Sequence, residues 1–348
     1  MFSLSDEYRE FASDQGIDWS PLDNATCFIT GATGLVGSCL TRALLERSKS
    51  RGNSIKILAP VRNLEKARSL FSEYGDDACL SFIEIEDLVD LADEPIEFDY
   101  LVHAACPTSS SQFVERPAET LRAIVNGTQA VLDLAVKAGV KSALYVSSME
   151  VYGGGHSRAG VDSKLGVEDV GYLDPLRSRS CYPEGKRMAE CLSFSYFSEF
   201  GLPVKIARLS QTFGPGVRHD DRRVYMQFAR SALEGGDIVL NTPGTSTRMY
   251  CYTTDVVAAM LTILLKGENG KAYNVANEET YISVRDMADF VLSNFSTNQA
   301  RVVLDIDPDA PYPPEHHLPL DTSSLQDLGW SPKYGLYEMY SNLIAYIK

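Results

Sequence analysis

Gly31, Gly34 and Gly37 recur every third residue in TGATGLVG, between a short apolar run (25–30) and a stretch with apolar residues at helical spacing (35–46). No other feature limits the fold as strongly. Glycines at this spacing permit a tight strand-to-helix turn. They also let backbone N–H groups at the helix N-terminus approach a pyrophosphate. The strand before, the helix after and the position at the head of the pattern agree on a dinucleotide site. Further strand-like runs lie at 55–61, 80–85, 100–105, 143–147 and 204–209, with helical patterns at 64–74, 118–138 and 186–200. Short strands alternating with longer helices indicate an α/β, doubly wound parallel sheet covered on both faces. Residues 1–24 read as an N-terminal extension with a short helix ended by Pro21, and 25–210 as the dinucleotide-binding domain. Residues 211–348, richer in Pro, Gly and aromatics, read as a smaller α/β substrate-binding region whose chain crosses back to the first domain.

With 348 residues, 44% hydrophobic and 23% charged, the chain is an ordinary globular sequence. Asp and Glu total 47 against 32 Lys and Arg, a formal charge of -15, which excludes nucleic acid and anionic membrane as general partners. Seven scattered cysteines, with no CxxC pair or Cys/His cluster, point to reduced thiols and to no metal. The acidic N-terminus lacks the basic and apolar regions of a signal peptide, and no stretch approaches the ~20 apolar residues of a membrane span, so a cytoplasmic protein is expected.

Tyr182 and Lys186 form YxxxK, which puts both side chains on one face of a helix. A free tyrosine titrates near pH ~10; an adjacent ammonium and a positively charged nicotinamide favour the phenolate. Tyr182 is then able to take a hydroxyl proton while hydride leaves the same carbon. Ser147 and Ser148 close the run ALYVSS, at the carboxyl edge of the sheet where ligands bind.

These segments resemble the extended short-chain dehydrogenases, in the NAD-dependent epimerase/dehydratase group. The Rossmann fold follows from that resemblance, as do cofactor contacts from Gly31, Thr33, Gly34, Leu35, Val36 and Gly37 in TGATGLVG. Asp87 and Leu88 match its adenine contact, and His103, Ala104 and Ala105 its NAAG-like segment, with His103 in place of the usual Asn in a backbone-organising role. Asn126 in NGT matches its structural Asn, and Ser148 its catalytic Ser/Thr. RSCYPEGKR is especially similar to UDP-glucuronate decarboxylases, differing mainly at Pro183. There Glu150 matches a glutamate suited to acid/base work on carbons next to C4, Arg223 and Arg248 match diphosphate contacts, and Gln211 sits where relatives often use Asn. Arg179, three residues before Tyr182, is the candidate for steering an anionic substrate. Dehydratases carry an Asp-Glu pair where this chain has Met149-Glu150, which disfavours water elimination.

Two readings of the cofactor compete. The second strand offers no carboxylate for a ribose 2′-OH and places Arg62 there, which suits the 2′-phosphate of NADP. Enzymes that recycle their cofactor retain NAD, and NAD is expected. The expected function is a nucleotide-sugar decarboxylase or epimerase that regenerates its own cofactor. An NADP-dependent reductase of a small carbonyl compound is the first alternative, and a non-catalytic cofactor-sensing protein the second. The resemblance also implies a homodimer formed through the helices at 118–138 and 186–200.

Overall fold

The computed structural model describes residues 2–348 apart from 15, 53, 76, 93, 156–162 and 307–314. The chain opens with helix α1 (Leu4–Ala12), then alternates through β1 (Thr26–Thr30), α2 (Leu35–Ser50), β2 (Lys56–Val61), α3 (Leu64–Leu70), β3 (Leu80–Glu84) and β4 (Tyr100–His103). Helices α4 (Ser110–Glu115) and α5 (Pro117–Ala138) lead into β5 (Ser142–Ser148), and α6 (Cys181–Phe200) into β6 (Val204–Leu209). The second half runs β7 (Gln211–Phe213), α7 (Val224–Glu234), β8 (Ile238–Leu240), β9 (Thr247–Tyr252), α8 (Thr253–Lys266), β10 (Ala272–Val275), β11 (Asn277–Ser283), α9 (Val284–Phe295), β12 (Val302–Leu304), α10 (Ser323–Gln326) and α11 (Leu336–Ile347).

Seven strands build one parallel sheet in the order β10-β6-β5-β4-β1-β2-β3. Its central strands are buried along nearly their whole length, which is why they read as unbroken apolar runs instead of alternating ones. The order reverses between β1 and β4, and the glycine turn after β1 opens at that switch point. The seventh strand, β10, comes from the region after residue 210 and pairs with β6 from Ala272↔Ile206 to Val275↔Leu209. Helix α8 before it is buried almost all round, packed against α2, β5 and β6.

The region after residue 210 is more regular than its Pro- and Gly-rich sequence suggests. Strands β7, β9 and β11 form a small mixed sheet, and β8 pairs in parallel with β12. Phe213, Tyr225, Tyr250 and Tyr340 unite these pieces in a separate aromatic-rich core. The N-terminal extension is no loose tail: α1 lies along α2, and Tyr8, Trp19 and Leu22 are buried in the main core. Among the described residues no helix is long and apolar enough to cross a membrane, and all seven cysteines are free.

Two sequence-derived boundaries move. The helix at 186–200 starts a turn earlier, at Cys181, so Tyr182 and Pro183 sit in its first turn, where proline's missing N–H costs no hydrogen bond. The pattern at 64–74 is α-helical only to Leu70, then breaks at Phe71 into a 3-10 turn, Ser72–Tyr74. The sequence also offers the Gly-rich insert at 153–166 as an active-site loop; its residues 156–162 fall outside the described residues.

Candidate active site

The glycine turn is built by steric necessity. Gly31 has φ +72°, and a Cβ there would lie 2.6 Å from the Ala105 nitrogen. A Cβ on Gly37 would lie 2.1 Å from the Gly31 carbonyl oxygen, so α2 leaves β1 at a distance that only glycine allows. Gly34 is the exposed N-cap of α2 and has no side-chain cap, which leaves the first-turn N–H groups, including those of Leu35 and Val36, open for an anion. Thr33 is half-buried on the same turn, with Ala104 and Ala105 half-buried on the facing loop. A dinucleotide pyrophosphate fits this cradle. Arg62 is exposed just past β2. Asp87 is exposed, and its carboxylate is engaged in a capping box at the 3-10 turn Leu88–Leu91.

His103 at the end of β4 ties the cradle to α5. Its Nδ1 lies 2.7 Å from Thr30 Oγ1 and its Nε2 3.1 Å from Thr128 Oγ1. Thr128 already donates to the Ile124 carbonyl, so Nε2 carries the proton and Thr30 donates to Nδ1. Complete burial and the nearby Lys186 charge push the imidazole down to about 3, and it stays neutral. The Thr30 hydroxyl meanwhile accepts from the Ala105 N–H at 3.2 Å, fixing the loop against the glycine turn. Asn126 is exposed on α5; the inward contact of the NGT segment is made by Thr128.

Ser148, Tyr182 and Lys186 come together beyond the carboxyl ends of β4 and β5. Ser148 caps the 3-10 turn Met149–Tyr152, accepting from the Glu150 N–H at 3.2 Å, and its hydroxyl lies near the Tyr182 phenol. The Lys186 ammonium is buried, donates to the Val146 carbonyl at 2.7 Å, and lies 6.0 Å from the centre of the Tyr182 ring. Phe113 of α4 stacks on Tyr182, with ring centroids 4.5 Å apart and planes at 13°. Burial is the largest influence on Tyr182 and holds its pKa well above that of a free phenol, with the Cys106 and Glu150 charges adding to the rise. Without ligand, therefore, Tyr182 is a phenol; Lys186 alone does not make it a phenolate.

Glu150 and Arg179 meet in a two-pronged ion pair, Nη1 to Oε2 at 2.8 Å and Nη2 to Oε1 at 3.2 Å. Arg179 also lies 5.9 Å over the Phe113 ring. Arg223 is at the N-cap of α7, held by Asp221 at 2.5 Å and stacked on Tyr225, within electrostatic reach of Tyr182. Arg248 is on β9, and its Nε is buried without a hydrogen-bond partner among the described residues. Gln211 opens β7 opposite Tyr250, two residues along β9 from Arg248. His316 joins this group: the charges of Arg248, Glu150 and Arg179 all act on it, and its carbonyl accepts from the Thr247 N–H.

The sequence reading missed the support beneath these groups. Glu190 of α6 accepts from Ser147 Oγ at 2.5 Å and pairs with Arg208 of β6, Nη2 to Oε2 at 2.7 Å. Arg208 continues to Tyr152 Oη at 3.2 Å, and Tyr152 donates to Asn274 Oδ1 of β10 at 2.6 Å. This buried network clamps the 3-10 turn that carries Glu150 onto three sheet strands. A charged residue near the end of the buried strand β6, Arg208, was its signal. Phe113 and Thr128 left none beyond ordinary helical spacing. Among the described residues there is no cluster of His, Cys, Asp or Glu able to hold a metal ion.

Fold and site together define a dinucleotide-dependent α/β enzyme with a serine, a buried tyrosine and a buried lysine gathered at the carboxyl edge of its sheet. A model of the NAD dependent epimerase/dehydratase family matches residues 27–276, and the chain belongs to that family. UDP-glucuronic acid decarboxylase 5 of Arabidopsis thaliana is 30% identical over 318 residues, covering 90% of this chain and 87% of the relative. UDP-glucuronic acid decarboxylase 1 of Danio rerio is 29% identical over 332 residues, 94% of this chain and 73% of that one. In fold, the chain is similar to the dTDP-glucose 4,6-dehydratase DesIV of Streptomyces venezuelae, solved with NAD and TYD bound (TM-score 0.75, 22% identity, 92% of this chain and 96% of that one). A UDP-glucuronic acid 4-epimerase of Bacillus cereus, solved with UDP-glucuronic acid and NAD, gives a TM-score of 0.71 at 20% identity, covering 92% and 98%.

Proposed function

We propose that this chain converts UDP-glucuronate by transient oxidation of a sugar hydroxyl, with loss of CO2 as the net change, and that it works as a cytoplasmic homodimer. The observation that carries the reading is the meeting of Ser148, Tyr182 and Lys186 with the Glu150–Arg179 pair, beside the guanidiniums of Arg223 and Arg248. Relatives that act on this sugar match along nearly the whole chain. The cofactor is NAD, held by the turn at 31–37, by Asp87, Leu88, His103, Ala104 and Ala105, and by Tyr182 and Lys186. Bound there, NAD would supply a hydride acceptor for C4 and a donor for the return of that hydride.

The chain's residues supply the rest. The positive nicotinamide of a bound cofactor, added to the Lys186 ammonium, would favour the Tyr182 phenolate that removes the C4 hydroxyl proton, and Ser148 holds the resulting carbonyl oxygen. The C6 carboxylate is then β to a ketone; its C5–C6 bonding pair moves into an enolate as CO2 departs. Tyr182 and Ser148 hydrogen-bond that enolate oxygen, and Glu150, open to solvent and protonated from water once released from Arg179, delivers that proton to C5. Arg223 and Arg248, the latter with its unpaired Nε, hold the diphosphate, and Gln211 lines the same pocket. These guanidiniums provide the positive charge that the acidic surface lacks.

The test is mass spectrometry of ligands released from the purified protein, then incubation with UDP-glucuronate and a panel of UDP- and dTDP-sugars. Retained NAD and a product lighter by CO2 are expected. A mass-neutral product would make the chain an epimerase, and bound NADPH with no sugar nucleotide changed would overturn the reading in favour of a reductase. Gly37→Ala is expected to lose co-purifying NAD and to melt earlier, because the added methyl meets the Gly31 carbonyl at 2.1 Å.

Helices α5 and α6 pack against each other and leave Leu121, Val136, Met188, Phe194 and Phe200 exposed. These exposed apolar side chains support a dimer through both helices. Sedimentation at micromolar concentration should give twice 38.3 kDa, and Phe194→Glu with Met188→Glu should give the monomer. A wild-type protein that sediments only as monomer would defeat the dimer.

A further inference from the structure

Arg179 is already satisfied before any substrate arrives. Its two terminal nitrogens grip both oxygens of Glu150, the arrangement a free carboxylate would otherwise adopt on it. The pair is open to solvent, with side-chain exposures of 39% for Arg179 and 24% for Glu150. Phe113 connects it to Tyr182, with the guanidinium 5.9 Å from its ring centre and the phenol ring stacked on it. Other charges facing the pair are those of Arg248 on β9 and His316 beside it. Glu150 is thus held away from acid/base work by the residue that would receive an anionic substrate.

We propose that Glu150 is a stand-in for the substrate's own carboxylate: a uronate displaces Glu150 from Arg179, and only then is Glu150 free to serve as the proton donor and acceptor. This rests on the nucleotide-sugar reading above. Exchanging one carboxylate for another keeps Arg179 paired throughout, so a uronate avoids the penalty of a stranded guanidinium. A neutral hexose offers no replacement; Glu150 stays bound, and the site stays incomplete. Selectivity then comes from assembling the site and not from contact area, an induced-fit device. Loss of CO2 removes the displacing group; Glu150, having given its proton to C5, returns to Arg179 as a carboxylate, and the UDP-pentose, whose sugar ring carries no charge, is released.

Binding separates this exchange from a fixed structural strut. In a Tyr182→Phe background, which halts turnover, calorimetric titration with UDP-glucuronate, UDP-glucose and UDP gives the affinities directly. Adding Glu150→Gln should tighten UDP-glucuronate roughly 3–10-fold, since its competitor is gone, and leave UDP-glucose and UDP unchanged. Adding Arg179→Met should weaken UDP-glucuronate about 10–100-fold and abolish its preference over UDP-glucose, with UDP again unchanged. Arg179→Lys, which keeps the charge but not the fork, should fall between. If Glu150→Gln leaves UDP-glucuronate affinity unchanged or weaker while UDP still binds, the exchange is overturned and the nucleotide-sugar reading stands. If none of the three ligands binds the parent protein, that reading falls and takes the exchange with it.

Discussion

Tyr182→Phe lowers kcat by about 10²–10⁴-fold, the range for removing a positioned acid/base, and leaves the melting temperature almost unmoved. The ring still stacks on Phe113 and still fills its buried place; only the hydroxyl toward Ser148 is lost. Steady-state rates with UDP-glucuronate and a thermal melt of the same preparation check both halves. A fall in rate accompanied by an equal loss of fold would deny Tyr182 its chemical role. The pH dependence carries a sign as well. Burial holds the Tyr182 pKa above the ordinary value of about 10, so the ligand-free protein should develop no tyrosinate from this residue where a free phenol would ionise. The folded state keeps this proton longer than the unfolded one, so the residue's contribution is fully present at neutral pH and is lost as pH rises beyond the free-phenol range. Spectrophotometric titration of wild type against Tyr182→Phe isolates it.

Arg208→Met is expected to destabilise the fold by about 3–5 kcal/mol, the usual cost of stranding one member of a buried ion pair. Side-chain exposures of 8% for Arg208 and 11% for Glu190 leave the abandoned carboxylate little water to recover its solvation. Tyr152 and the Val167 carbonyl lose a donor at the same time. Urea unfolding measures the loss. The double variant Arg208→Met with Glu190→Leu should recover a large part of it, because no charge is then left unpaired. If Arg208→Met unfolds within about 1 kcal/mol of wild type, the range of exposed pairs, the network contributes no more than a surface contact. Activity in the double variant should remain low, since Ser147 and Tyr152 would lose their hydrogen bonds to Glu190 and Arg208 beneath the turn Met149–Tyr152.

What the sequence made legible was whatever rests on short-range pattern. The strands from β1 to β6 were readable because each is a short apolar run closed by a turn, and Gly31, Gly34 and Gly37 located the switch point. Tyr182 and Lys186 were readable because one helical turn sets their separation. The helix start at Cys181 was obscured by Pro183, which is as compatible with a first turn as with a break. Strand β10 is only four residues long and follows a helix apolar on all sides, so its membership of the main sheet depends on pairing with β6 across some sixty residues of chain. The Glu150–Arg179 pair joins positions 29 residues apart, and Arg248 meets His316 only through the pairing of Thr247 with the segment at 316–318. Contacts of that kind have no local period. They arise from how loops converge at one sheet edge.

The position of β10 bears on how the protein is made. A ribosome delivers β6 well before residue 275, and until then the outer edge of β6 presents unpaired backbone groups of a wholly buried strand. That edge closes only after the small mixed sheet's first strands and α8 have also been synthesised, so the nascent chain spends seconds with an adhesive flank. Fragments ending near residue 210 should therefore aggregate instead of folding as a free dinucleotide-binding half, and expression at lower temperature should favour the intact chain.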